Sequence, residues 1–298
     1  MASRHPLRAE QQDDITEADA TATFNSTDAG REVQDMSTGS DCDTEIQPAS
    51  AKLLNQQLLE LADRYEIQIK RIKCLCKLEK FKIVILCDDS GSMQEPVDGG
   101  KTTRWDELRD IVKMVIKIGC IFEPNGVDVY FLNRPNKYTI KHPNEAEQLF
   151  DVPPSGFTPL VRSLRQIFQL PEAQKNSSKK LLIFIATDGY PTDDEGTSNF
   201  EEFENVMRNE RQSETTHVSF LICTDEPESV DYLAHFDRTM KNVDVTDDFK
   251  TEKATICRHQ GANFKFSKGD YIVKALVGAI DQEIDELNEP KPENQNRS

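Results

Sequence analysis

The sequence lacks long apolar runs, and it has fewer basic than acidic residues and few hydrophobic ones. No stretch approaches about 18 consecutive apolar residues, which excludes a transmembrane helix and membrane insertion through one. Lysine and arginine number 36 against 53 aspartates and glutamates, and a chain with a formal charge of −17 does not bind nucleic acid or an anionic membrane through its net charge. Only 37% of the residues are hydrophobic, so we expect part of the chain to be unfolded.

Histidine and cysteine lack the spacings that indicate a metal site. The five histidines form no i, i+4 pair, and Cys74 and Cys76 are spaced like no common zinc site. Cys87 and Cys223 lie in strand-like apolar runs and are expected to be buried free thiols. The N-terminus also lacks the apolar stretch of a secretory signal, so we expect a cytoplasmic protein.

Both ends of the chain are polar. Residues 1–48 carry eleven aspartates and glutamates against three arginines, a net charge of −8, with almost no aliphatic residues. Such a segment cannot bury enough apolar surface to offset the entropy of ordering it. We therefore expect 1–48 to be a disordered acidic tail and 288–298 to be a polar C-terminal end.

Residues 49–79 predict a helical extension. The apolar residues recur at helical spacing in two groups, which are Leu54, Leu58, Leu61 and Tyr65, then Ile69, Ile72, Leu75 and Leu78. These faces either pack on the domain that follows or form a groove-binding helix for a partner. Packing on the chain's own domain is the favoured interpretation, because most amphipathic helices face a core.

The pattern changes over residues 80–287. Four short, nearly continuous apolar runs begin at residues 81, 127, 181 and 217 (FKIVILC, VDVYFL, LLIFIAT and HVSFLIC). Continuous hydrophobicity is typical of strands buried on both faces. Helical stripes beginning at Trp105, Val161 and Val273 lie between or after them. This alternation predicts an α/β fold, with a doubly wound, mostly parallel sheet and helices on both faces.

Polar residues follow two of these predicted strands, at the sheet edge where ligands bind in open α/β folds. Asp88-Asp89-Ser90-Gly91-Ser92 comes after the first run, and Asp188-Gly189 comes after LLIFIAT. A third loop leads into a helix predicted from residue 159, with Thr158 placed to cap that helix and Pro159 at its first position. We expect these oxygen-bearing side chains to converge on one edge.

Carboxylates and hydroxyls are the ligands that hard divalent cations prefer. Mg²⁺ takes six oxygen ligands and keeps several waters, so one or two protein carboxylates suffice. With few anionic ligands the ion keeps residual positive charge, and it can then attract a carboxylate from another molecule. The sequence therefore predicts a site at which a bound metal recognises an acidic group.

Together these elements resemble the metal-ion-dependent adhesion site of the von Willebrand factor A (vWA) domain, of the intracellular, Rossmann-like type. The resemblance covers roughly residues 80–285. The matching positions are Asp88, Ser90, Ser92, Thr158 and Asp188. It implies that Ser90 and Ser92 coordinate Mg²⁺ or Mn²⁺ directly and Asp88 mainly through water. Thr158 would coordinate directly in the ligand-bound state, and Asp188 directly or through water.

The same resemblance implies a six-stranded sheet in the order 3-2-1-4-5-6 with one antiparallel edge. Residues Lys137–Lys141 would form that edge, the strand near Phe264–Phe266 would be the last, and Gly269–Leu287 would be the C-terminal helix. The partner would be a protein that presents an acidic side chain; the sequence does not identify it, nor the oligomeric state.

Three neighbours of the site have plainer interpretations. Asp89 is expected to face solvent or to cap a backbone amide. Asp225, after HVSFLIC, lies on the same edge and is expected to be a solvated strand-end residue, although an outer position in the metal site is an alternative. Trp105 is expected to pack in the core rather than flank the metal.

Two alternatives to a metal-dependent interaction module remain. Haloacid-dehalogenase-type phosphatases also place an aspartate after the first strand and bind Mg²⁺, but they need a second aspartate two residues later as general acid, where this chain has Ser90. The second alternative is a scaffold protein of the same fold that binds its partners without a metal. We expect a binding protein, not an enzyme, because no catalytic residue is visible.

Overall fold

The computed structural model describes residues 49–224, 226 and 230–290 of the chain. The predictions made for the acidic tail 1–48, for Asp225 and for most of the polar end 288–298 lie outside the described residues. No described helix is both long enough and apolar enough to cross a membrane.

A six-stranded sheet forms the centre of the protein. Its strands are β1 (Phe81–Cys87), β2 (Val127–Phe131), β3 (Tyr138–Ile140), β4 (Lys180–Thr187), β5 (Thr216–Ile222) and β6 (Val243–Thr246). They lie in the order β3-β2-β1-β4-β5-β6, and every neighbouring pair is parallel except β2 and β3. The predicted α/β class and mostly parallel sheet are confirmed, and the antiparallel edge strand falls where it was expected.

Helices connect the strands and flank the sheet. They are α1 (Ala49–Tyr65), α2 (Ile69–Ile72), α3 (Arg104–Phe122), α4 (Ala146–Leu149), α5 (Leu160–Ile167), α6 (Phe200–Asn205), α7 (Asp231–Thr239), α8 (Phe249–Gln260), α9 (Lys268–Val277) and α10 (Gln282–Asp285). A 3₁₀ segment, Lys73–Lys80, leads from α2 into β1.

Successive residues of β1 enter two different hydrophobic cores. Ile83 and Ile85 pack in a core with residues of α1, α3 and α9, whereas Val84 and Leu86 pack in a core with residues of α5, α6 and α7. Alternate side chains of a strand point to opposite faces, so both faces of the sheet are covered. This explains why β1 is a continuous apolar run rather than an alternating one.

The N-terminal helices pack on their own chain. Leu58 and Leu61 of α1 are buried in the core that also contains α3 and α9. Arg71 of α2 forms a buried ion pair of 2.7 Å with Asp270, in the first turn of α9. The backbone N–H of Gln68 donates to the same carboxylate at 2.9 Å. This junction fixes the extension to the start of α9.

The last strand of the sheet differs from the prediction. It is β6, Val243–Thr246, and residues 264–266 form no strand. The aromatic residues there are used for packing between helices: Phe266 stacks on Phe249 at 6.4 Å between ring centroids, and the guanidinium of Arg71 lies over Phe264 and Phe266.

Two predicted helix boundaries are also wrong. The C-terminal stripe does not form one helix over Gly269–Leu287: α9 ends at Val277, and α10 begins after Asp281, whose carboxylate accepts from the Glu283 N–H at 3.2 Å. Helix α5 begins at Leu160, so Pro159 is its N-cap residue and no side chain caps it.

Candidate metal site

The two predicted carboxylates follow neighbouring strands of the sheet. β1 and β4 pair in parallel with Cys87 opposite Ala186, so Asp88 and Asp188 leave the sheet side by side at its carboxyl edge. Both are buried. The structure thus brings together two acidic groups that are 100 positions apart in the sequence.

Asp88 is held by two hydrogen bonds. Its Oδ1 accepts from the backbone N–H of Ser90 at 2.9 Å, and its Oδ2 accepts from the hydroxyl of Thr187 at 2.6 Å. Burial, together with the nearby charge of Asp188, raises the pKa of Asp88 to about 7. The metal-free site therefore carries an acidic group that resists ionisation.

The serines of the first loop connect Asp88 to Asp188. The hydroxyls of Ser90 and Ser92 lie 3.1 Å apart, and Ser92 donates to Oδ1 of Asp188 at 2.8 Å. Four of the predicted ligands, Asp88, Ser90, Ser92 and Asp188, are therefore linked by short hydrogen bonds.

Thr158 reaches this cluster through the loop that precedes α5. The N–H of Gly91 donates to the carbonyl of Gly156 at 3.1 Å, which fixes this loop against the serine loop. A Cβ added to Gly189 would lie 3.6 Å from the Thr158 hydroxyl oxygen, so the threonine side chain faces the loop that carries Asp188. All three loops named from the sequence meet here.

The sequence interpretation missed Arg104, the first residue of α3. Its Nη1 donates to Oδ2 of Asp188 at 2.9 Å, and its Nη2 donates to the carboxylate of Glu226 at 2.9 Å. A capping box between Thr103 and Asp106 fixes the start of the helix and so the position of the arginine. The Thr103-x-x-Asp106 spacing is visible in the sequence, but the ion pair is not.

Asp89 does not face solvent. It is buried, and Oδ1 accepts from the backbone N–H of Asn133 at 2.8 Å while Oδ2 accepts from Nε of Arg134 at 3.1 Å. The alternative expectation, that it caps a backbone amide, is correct. Asp89 thus joins the serine loop to the segment after β2.

Trp105, Cys87 and Cys223 were all expected to be buried, and two of the three are. Trp105 is buried against Phe131 and Phe150, and its indole N–H donates to the Phe150 carbonyl at 3.2 Å. Cys87 is a buried free thiol. Cys223 is free but partly exposed, because β5 ends one residue before it.

The donor set fits a hard divalent cation. The side chains that converge offer carboxylate and hydroxyl oxygens, which suit Mg²⁺ or Mn²⁺ and not a soft metal. Of the two buried carboxylates, Asp188 is paired with the buried guanidinium of Arg104, whose second carboxylate partner, Glu226, is exposed. A divalent cation would balance Asp88 and Asp188 and would lower the pKa of Asp88.

A second acidic group lies elsewhere in the described part of the chain. Carboxylate oxygens of Asp237, Asp244 and Asp285 lie within 4.8 Å of one another. The buried Lys274 ammonium already lies 3.2 Å from Asp244 and 3.5 Å from the buried Glu252. Lys274 is therefore the built-in cation of this cluster, as Arg104 is of the strand-end site.

Comparison with protein-family models and with curated proteins finds no match for this chain. The strand order is the one that the vWA resemblance implies. However, unrelated doubly wound sheets share this order, so it indicates a fold and not a family.

Proposed function

We propose that the chain is a cytoplasmic, metal-dependent protein–protein interaction module of the vWA type. A divalent cation, Mg²⁺ or Mn²⁺, would bridge the site to an acidic side chain of a partner protein. The proposed metal-binding residues are Asp88, Ser90, Ser92, Thr158 and Asp188.

The chain of hydrogen bonds that links Asp88, Ser90, Ser92 and Asp188 is the observation that carries this proposal. Its members come from loops after two adjacent parallel strands, at the edge where open α/β sheets bind ligands. Hydrogen bonds from Ser90 and Thr187 preset the orientation of the Asp88 carboxylate. Such outer contacts strengthen metal sites because they remove the cost of orienting the ligands.

The charge of Arg104 favours recognition of an acid. When bound, the cation supplies a Lewis-acidic position that accepts a carboxylate oxygen. Arg104 neutralises part of the charge of Asp188, to which it donates at 2.9 Å. With the cation bound, the site would keep positive charge on the side that faces the partner. Glu226 is exposed, so solvent screens its negative charge and it would reduce this positive charge only weakly.

Binding is favoured over hydrolysis by the groups that surround the two carboxylates. In the described structure, their hydrogen-bond partners are serine, threonine and arginine groups. None of these partners is a general acid or base near neutral pH, and a bound cation would lower the pKa of Asp88, which is about 7 without one. The position two residues after Asp88, where a phosphatase of this fold needs an acid, is Ser90.

Calorimetric titration of Mg²⁺ and Mn²⁺ into the full chain tests the metal-binding half of the proposal. We expect saturable one-site binding that Asp88→Asn weakens about 10- to 100-fold, because the amide keeps the size of the side chain but not its charge. Asp110→Ala, which removes an exposed carboxylate of α3, is the matched control and should leave the affinity unchanged. Binding that is indifferent to Asp88 would contradict the proposal.

A further inference from the structure

The large hydrophobic residues that remain exposed in the described structure fall into two groups. Leu53, Leu59 and Ile69 lie on α1 and α2. The others are Val152, Phe157 and Tyr190, with 55%, 48% and 40% of their surface exposed. This second group, which we name the apolar rim, lies on the two loops that carry Thr158 and Asp188.

Phe157 is held in its exposed position. Its carbonyl accepts from the side-chain amide of Asn133 at 2.8 Å. Its ring lies directly over Gly196, whose φ is +84°, and any Cβ at that glycine would clash with the ring. The next residue, Thr158, is fixed as well, because its N–H donates to the Thr192 hydroxyl at 2.9 Å. The ring is thus supported by backbone although about half of the residue's surface is exposed.

Tyr190 is supported from beneath by an aromatic cluster. Its ring lies 5.5 Å from Phe200 and 5.5 Å from Tyr232, between centroids. The Tyr232 hydroxyl donates to the Gly189 carbonyl at 3.2 Å, which fixes the backbone between Asp188 and Tyr190. An exposed aromatic residue fixed in this way loses little conformational entropy when a partner covers it.

Two members of the apolar rim, Phe157 and Tyr190, are adjacent to proposed metal-binding loops. Phe157 immediately precedes Thr158, and Tyr190 immediately follows Gly189, at the place where the threonine hydroxyl approaches the glycine. A carboxylate that reached the metal would therefore bring its neighbouring residues over these two rings. Large exposed apolar side chains grouped around polar groups are typical of protein-binding surfaces.

We propose that the partner segment presents an aspartate or glutamate flanked by a large apolar side chain, which packs on Phe157 and Tyr190 while the carboxylate binds the metal. This inference rests on the proposed function and specifies its partner. The charge of the site selects the acid, since a divalent cation and Arg104 outweigh Asp88 and Asp188. The rim selects the neighbouring residue.

Two synthetic peptide libraries provide the probe. Both fix an Asp or Glu at the centre of a seven-residue peptide and carry the same net charge; one places Phe, Leu, Ile or Trp beside the acid, and the other places Ser, Asn or Gly there. The full chain, with a fluorescent label, is measured for binding to each library in Mg²⁺ and in EDTA. We expect Mg²⁺-dependent binding about tenfold stronger to the apolar library.

Rim variants separate this inference from the proposed function. Phe157→Ser and Tyr190→Ser should bind Mg²⁺ as the unaltered chain does and lose the preference between libraries. Leu59→Ser is the matched control, since Leu59 is an apolar residue of α1 that is 54% exposed. This variant should keep the preference for the apolar library. Equal binding to both libraries, or a preference that survives in the rim variants, overturns the inference alone. Absence of Mg²⁺-dependent binding to either library contradicts the proposed function and the inference with it.

Discussion

Arg104 is the residue on which the charge balance of the metal-free site depends. It is buried, and it is the cation that donates directly to Asp188. Removing one member of a buried ion pair leaves the other charge buried without compensation, which is more costly than losing the attraction itself. A metal ion at the same carboxylate would relieve that cost.

Arg104→Ala should therefore lower the free energy of unfolding by roughly 3 kcal/mol in EDTA. Saturating Mg²⁺ should restore part of the loss, so that the metal stabilises the variant more than it stabilises the unaltered chain. Urea unfolding with and without Mg²⁺ measures both effects. Arg109→Ala, which removes a more exposed ion pair of the same helix, should change stability by less than about 1 kcal/mol. Equal stability of Arg104→Ala and the unaltered chain in EDTA would contradict this role.

The predicted site residues could be located from the sequence because their position follows from chain order. Asp88 and Asp188 come directly after apolar runs, and parallel strands end at the same edge. Arg104 could not be located in this way, since its partner Asp188 is 84 positions away and the pairing depends on how α3 crosses the sheet. For Asp89 the choice between solvent and a backbone amide stayed open, because its partners, Asn133 and Arg134, follow a different strand.

At the scale of elements, the four continuous apolar runs correspond to β1, β2, β4 and β5. β6 was missed because Val243–Thr246 is short and only half apolar. Its Asp244 is buried beside Lys274, so a polar residue stands where the pattern called for an apolar one. The C-terminal helix was predicted too long because the apolar spacing continues past Val277, although Gly278–Ile280 is a 3₁₀ segment and the backbone becomes extended at Asp281.

The junction of α1 with α9 gives an element-scale prediction. Gly269 lies against the carbonyl of Tyr65, and a Cβ there would clash with that backbone atom. Gly269→Ala should therefore destabilise the chain by about 1–3 kcal/mol, although alanine is the better helix former. Hydrogen exchange of α1 should become faster at the same time. Lys268→Ala, at the exposed preceding position, should leave the stability and the hydrogen exchange of α1 unchanged. Slower exchange of α1 in Gly269→Ala would contradict the packing described.

The cluster around Lys274 links β6, α8, α9 and α10 and predicts a pH dependence. Burial raises the pKa of Glu252 to about 7, and burial with a hydrogen bond to Asp244 raises that of Asp285 to about 8. A raised carboxyl pKa means that the folded state binds the proton more tightly, so the stability that these groups contribute is lost as pH rises toward those values. Burial lowers the pKa of His217 to about 4, so its effect on stability has the opposite dependence on pH. Above pH 6.5, its ordinary pKa, the imidazole is mostly neutral in both the folded and the unfolded chain, and this effect no longer changes with pH.

Lys274→Met should consequently be most harmful at high pH. We expect a loss of about 3–5 kcal/mol at pH 8, where Glu252 is mostly ionised and Asp285 about half ionised in the unaltered chain and both lose their cation. The loss should be clearly smaller at pH 5, where both carboxyls are protonated. Urea unfolding at the two pH values is the measurement. Lys253→Met, an exposed lysine of α8, serves as the control. A loss that is the same at both pH values would show that the carboxylates do not titrate as described.

At the scale of the whole molecule, metal binding should appear as stability. A ligand that binds only the folded state stabilises it by about 2.7 kcal/mol at a concentration 100 times its Kd. We expect Mg²⁺ to raise the melting temperature of the full chain and, at the same concentration, to raise that of Asp88→Asn by clearly less, because the variant binds the ion more weakly. Calorimetric melting at increasing Mg²⁺ concentrations measures this. A rise of equal size in both proteins would assign the effect to nonspecific screening of the −17 charge.

The location of a bound cation tests the central claim most directly. Crystals of the full chain grown with Mn²⁺, examined by anomalous diffraction, should show one strong peak bounded by the loops of Asp88, Ser92, Thr158 and Asp188. A peak beside Asp237, Asp244 and Asp285 instead, or no peak at a Mn²⁺ concentration that saturates the calorimetric signal, would contradict the account of the strand-end site.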